Sequence, residues 1–122
     1  MEVLLSEQFK AELKNFPQLD KEKITSFILH IQHQGMENLP GKNKPSHDVP
    51  RNDPKWLDKV SYAQHHNLWH YHIGIPNYNT DCPRGEQTSE YILHYIKGDG
   101  FIKIVDFSAH PPFKLPAEKH LY

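Results

Sequence analysis

Ten of the 122 residues are histidine, and several fall where a pleated backbone would collect them. His70 and His72 alternate along the run from Leu68 to Ile75. A strand there puts both on one face, with Trp69, Tyr71 and Ile73 on the other. His94 lies inside the next β-rich run, His110 closes the last one, and His65 and His66 stand just before the first. Adjacent strands bring such side chains within roughly 5 to 10 Å on a shared face. With an ordinary pKa of about 6.5, an imidazole takes up or gives away a proton near neutrality.

A set of imidazoles of this kind suits RNA cleavage in which a ribose 2'-hydroxyl attacks its own phosphorus. The reaction needs a base at the hydroxyl, an acid at the leaving 5'-oxygen, and cations on the non-bridging oxygens. His70, His72 and His110 are the candidate catalytic residues. Arg84, Arg51 and Lys103 are the candidate phosphate contacts, and Tyr91 is a candidate for stacking on a base. No metal or other cofactor is required. His-x-His with a further imidazole is also a zinc pattern, although no acidic residue stands at a fixed spacing beside it.

Each histidine has a structural reading as well. His94 alternates with Ile92 and Ile96 and reads as a core imidazole with one hydrogen bond. His30 and His33 read as solvent-facing or helix-packing residues, while His47 and His120 carry no signal of their own. His110 stands at a strand end before two prolines, which favours an exposed and rigidly placed side chain.

The elements that must position these groups follow from spacing. Residues 1–5 read as a short strand, and Ser6 caps a helix whose apolar face is Phe9, Leu13 and Phe16, closed by Pro17. Asp20 opens a second helix with Ile24, Phe27, Ile28 and Ile31 on one stripe and Gly35 as its stop. From about 37 to 58, Pro40, Gly41, Pro45, Pro50 and Pro54 interrupt a polar run, which predicts a long loop. Val60 to Ala63 reads as a short strand. Leu68–Ile75, Tyr91–Lys97 and Phe101–Ser108 read as antiparallel strands, the last two joined by a turn at Lys97-Gly-Asp-Gly100. Residues 111–122 read as an irregular tail. The expectation is a single α+β domain over 1–122, with a two-helix hairpin packed on a curved, mainly antiparallel sheet.

Composition narrows the class. With 37% apolar and 24% charged residues the chain reads as one soluble domain. The segment Met1 to Lys10, carrying Glu2 and Glu7, predicts no secretory leader, and no run reaches the roughly 20 apolar residues of a membrane helix. Cys82 is the single cysteine, so no intrachain disulfide forms and a cytoplasmic setting is expected. The net charge of −1 advertises no polyanionic partner by itself.

The order strand, two helices, sheet, together with His66-Asn-Leu-Trp69, Tyr91-Ile-Leu-His-Tyr95 and Ile102-Lys-Ile-Val-Asp-Phe-Ser-Ala-His110, resembles the RelE/ParE superfamily of bacterial toxins. The spacing from Trp69-His-Tyr-His-Ile73 to Pro112-Phe-Lys-Leu115 is most similar to YafO-type messenger-RNA interferases. The resemblance covers residues 60–115 best. It implies a small endoribonuclease that enters the ribosomal A site, cuts messenger RNA and is held inactive by a cognate antitoxin. Some members place a histidine or another acid just after the last strand, the position of His110. Two departures stand out: Tyr91-Ile92 replaces the Tyr-Arg of many members, and Tyr62 falls near the place where some carry a glutamate base. The missing arginine keeps open a ParE-like relative that poisons DNA gyrase without nuclease activity, or an inactive binding module.

Overall fold

The computed structural model describes residues 1–122 as three helices packed on a five-stranded sheet. Strand β1 (Glu2–Leu5) leads into α1 (Glu7–Leu13), where the Ser6 hydroxyl accepts the Phe9 N–H at 3.2 Å and caps the first turn. After Pro17 comes α2 (Gln18–Gln34), two residues earlier than Asp20 suggested, and Gly35 at φ 68° ends it. Phe9 from α1 and Ile24, Phe27 and Ile31 from α2 are buried against Tyr71, Leu93, Tyr95, Ile102 and Ile104 of the sheet. Phe27 lies stacked on Tyr71 at 4.7 Å. Each such side chain contributes roughly 1.5–3 kcal/mol through burial, so the helical hairpin occupies one sheet face firmly.

The sheet runs β1-β5-β4-β3-β2, with β2 (Asn43–Pro45), β3 (Leu68–His72), β4 (Tyr91–Lys97) and β5 (Phe101–Ala109) antiparallel to one another in turn. Only the β1–β5 pair is parallel. An α+β architecture with a mainly antiparallel sheet is therefore present, as the spacing predicted.

The segment between Glu37 and Ala63 differs from its reading. The predicted loop contains β2, an edge strand in which Lys44 pairs with His70, and Val60–Ala63 belongs not to a strand but to helix α3 (Trp56–His65). Trp56, Val60 and Ala63 recur at four and three, a helical stripe hidden by the β-branched valine and the adjacent tyrosine. The predicted strand from Leu68 to Ile75 stops at His72. Beyond it, Gly74 at φ 80° turns the chain, and Lys23 from α2 donates to the carbonyl oxygens of Gly74 and Pro76 at 2.6 and 2.7 Å.

The second sheet face is covered in part. Ala63 of α3 packs with Leu68, Val105 and Leu121, and Leu115 joins them from the tail. The Tyr62 hydroxyl donates to the Pro116 carbonyl at 2.9 Å, and a short 3₁₀ turn at Glu118–His120 ends the tail. The rest of this face carries the histidines, where His70, His72 and His94 are buried and Phe113 of the tail packs on His70 and His94. No helix is long and apolar enough to cross a membrane.

Candidate active site

Strand register assembles the site. Lys44, His70, His94 and Asp106 are consecutive partners across β2, β3, β4 and β5, so they form one row on one face. His72 sits one step along β3, opposite Ile92, which in turn faces Ser108. At the end of β5 the His110 N–H donates to the Glu90 carbonyl at 2.7 Å, which brings the last histidine back over the row. Ring centres lie 5.7 Å apart for His72 and His110, 6.1 Å for His70 and His110, and 6.3 Å for His70 and His72. Thus the three histidines singled out from the sequence converge.

They open on a cleft of about 620 Å³, lined by Lys42, Lys44, His70, His72 and His110 together with residues 77–79 and 88–90. Phe113 packs against the cluster, 4.8 Å from His70, 5.3 Å from His110 and 5.8 Å from His94.

The imidazoles differ in their second nitrogen. His70 Nδ1 lies 2.9 Å from the hydroxyl of Ser46, itself almost fully buried. His72 Nδ1 stands 2.9 Å from both the carbonyl oxygen and the N–H of Ser89. One residue can therefore accept a proton held on that nitrogen or donate to its lone pair. His110 Nδ1 is buried with no partner, which favours the tautomer carrying its proton on Nε2. His94, as its alternation with Ile92 and Ile96 predicted, is fully buried and bonds through Nε2 to Ser108 Oγ at 2.9 Å.

Burial holds these groups neutral. Desolvation, reinforced by the neighbouring imidazoles, pushes His70 down to about 3, and burial followed by repulsion from His110 and His120 does the same to His94. His72 is lowered less simply, because burial is opposed by the Ser89 backbone hydrogen bond. Burial and then Lys44 lower His110. Lys42 and Lys44 line the cleft with these neutral imidazoles, Lys44 being paired with Asp48 at 2.6 Å, and an anion bound there would restore basicity to the rings it touches.

The other sequence candidates lie elsewhere. Arg84 donates through Nη2 to the Asn38 carbonyl at 2.9 Å, outside the cleft. Lys103 sits between Ile96 and Leu4 toward the opposite end of β5. Arg51 lies over the Trp56 ring at 4.8 Å, in a separate hollow that meets the cleft only at Lys44. Tyr91 stacks on Phe107 at 5.0 Å on the helix-covered face, because its side chain alternates away from His94. The cations that do line the cleft, Lys42 and Lys44, come from the segment read as loop and carry no periodic signal. The pairing of Lys44 with His70 is visible only once β2 is known.

Carboxylate and imidazole atoms of Glu12, Asp106 and His120 all lie within 4.8 Å of one another, a set able to hold a cation beneath α1. The cleft histidines are not part of it. No protein-family model, curated protein or solved structure matches the chain.

Proposed function

We propose that the chain is a RelE/ParE-type toxin, most similar to YafO-type messenger-RNA interferases, that cleaves RNA without a metal ion. The observation that carries this reading is the convergence of His72 and His110, 5.7 Å apart, beside Lys42 and Lys44 in an open polar cleft. The order of strand, two helices and sheet, with the hairpin on one sheet face, supports this reading.

In this mechanism Lys42, and Lys44 on leaving its pair with Asp48, hold the non-bridging oxygens of one phosphodiester. The Ser89 carbonyl keeps a proton on His72 Nδ1, so Nε2 offers its lone pair and takes the 2'-hydroxyl proton. The 2'-oxygen bonds to phosphorus and the bond to the 5'-oxygen breaks. His110, made an imidazolium by the charge of the bound phosphate, gives its Nε2 proton to that leaving oxygen and returns to the neutral ring. The products are a 2',3'-cyclic phosphate and a 5'-hydroxyl. His70, held by Ser46 and too depressed to be charged, contributes a neutral imidazole beside the phosphate. Messenger RNA in the ribosomal A site is the proposed substrate, and a cognate antitoxin the proposed partner.

Induced expression tests the reading. Pulse-labelled protein synthesis should fall before DNA synthesis, and transcripts should carry internal breaks. DNA damage with intact transcripts would favour gyrase poisoning instead, and harmless high-level expression would remove both.

A further inference from the structure

A second group of ligating side chains lies apart from the cleft. Glu12 of α1, Asp106 of β5 and His120 of the C-terminal 3₁₀ turn each place a ligand atom within 4.8 Å of the other two, and none of them lines the cleft. Packed structure holds the three elements together independently of these side chains. The Glu7 N–H donates to the Tyr122 main-chain oxygen at 3.0 Å, and Leu121 packs on Val105, so the turn is fixed against both α1 and β5.

The group lacks a countercharge. Neither Glu12 nor Asp106 forms an ion pair with a lysine or arginine, and the one basic group beside Glu12 is His120 itself, 3.9 Å from Oε1. Asp106 is half-buried, and burial pushes its carboxyl up against the opposing effects of the Phe107 N–H and His120. His120 is uncommitted as well. Only 15% of its side chain is exposed, the Gln8 amide meets its Nε2 at 3.0 Å, and its Nδ1 is buried with no partner at all. Carboxylates without a countercharge and an orphaned ring nitrogen are costly when taken out of water, and one divalent ion answers both.

We infer that Glu12, Asp106 and His120 bind a divalent transition-metal ion of the zinc class, and that the ion fastens the C-terminal turn to α1 and β5. Two carboxylates and an imidazole supply three donors and leave a fourth, tetrahedral position to water. The imidazole selects the metal, since magnesium and calcium take oxygen ligands whereas zinc accepts nitrogen and oxygen together. Tetrahedral ligands about 2.0–2.2 Å from zinc stand roughly 3.4 Å apart. Side chains already within 4.8 Å therefore have little over an ångström to close. This site is independent of the reaction proposed for the cleft.

Calorimetric titration of the chelator-treated chain with Zn²⁺, paired with thermal melting, tests the inference. The wild type should bind one ion at this site and gain roughly 10 °C in Tm with Zn²⁺ a hundredfold above its Kd. Asp106→Asn and His120→Gln should each weaken that binding by more than the roughly 10–100-fold lost with a partner that merely orients a ligand, and should lose the gain in Tm. Glu12→Gln, at a partly exposed position where the fold is not at risk, should do the same. In His110→Gln, which alters only the cleft, the ion should bind as in the wild type. No uptake by the wild type, undiminished binding in Glu12→Gln, or loss of binding in His110→Gln alone overturns the inference. Mg²⁺ or Ca²⁺ bound as tightly as Zn²⁺ overturns the assignment of the metal.

Discussion

At the residue scale the site depends on where each imidazole keeps its second proton. His72→Gln and His110→Gln each remove a proton-transfer partner and should lower RNA cleavage by roughly 10² or more. His110 is only partly buried and makes no side-chain hydrogen bond through Nδ1, so His110→Gln should cost no more than about 1 kcal/mol in a urea titration. Full activity in that variant would return the acid's role to another ring. Protonation supplies a second prediction. His70 and His94 sit near 3 in the folded chain against about 6.5 when unfolded. Between these values the unfolded chain binds protons that the folded chain does not, so stability falls as pH drops below about 6.5 and is flat for these groups above it. The loss from pH 7 to pH 4 should be on the order of a few kcal/mol, and smaller in His94→Gln, whose amide can keep the Ser108 contact. Equal acid slopes in the two proteins would contradict it. The alternation of His70 and His72 was legible in the sequence, and so was the buried state of His94. The roles of Ser46, Ser89 and Glu90 were not, because they come from turns whose side chains follow no period.

At the scale of elements, the cleft depends on how the segment before β2 meets β3. Gly41 donates its N–H to the Tyr71 hydroxyl at 3.1 Å, and the Lys42 carbonyl accepts the His72 N–H at 3.0 Å. A Cβ at Gly41 would run into the His72 carbonyl and the Tyr71 ring, both backed by packed structure. Gly41→Ala should therefore cost roughly 1–3 kcal/mol by overpacking and reduce cleavage further, because Lys42 and His72 shift together. Unaltered stability and activity would mean that this contact does not set the cleft. The hairpin of α1 and α2 and the three long strands were readable because their apolar spacing repeats. Helix α3 was missed because proline-rich sequence precedes it and Val60 and Tyr62 favour strand, while its stripe of Trp56, Val60 and Ala63 spans only about two turns. Strand β2 has three residues and ends in proline, too short for alternation to appear.

For the whole molecule, a net charge of −1 and a cationic cleft are compatible because Lys42 and Lys44 are gathered beside uncharged imidazoles instead of being spread over the surface. Binding of single-stranded RNA should then depend only modestly on salt, with a log–log slope of roughly −1.4 for two phosphate contacts. A slope several times steeper would place the RNA on a wider basic surface than this cleft. The account's central claim is histidine acid–base cleavage, and the chemistry of the RNA ends tests it most directly. Wild-type protein should cut single-stranded or ribosome-bound messenger RNA, with excess EDTA present in the ribosome-free reaction, leaving 2',3'-cyclic phosphate and 5'-hydroxyl ends, and His72→Gln and His110→Gln should leave almost none. Ends bearing 3'-hydroxyl and 5'-phosphate, or cleavage abolished by the chelator and restored by zinc, would contradict it.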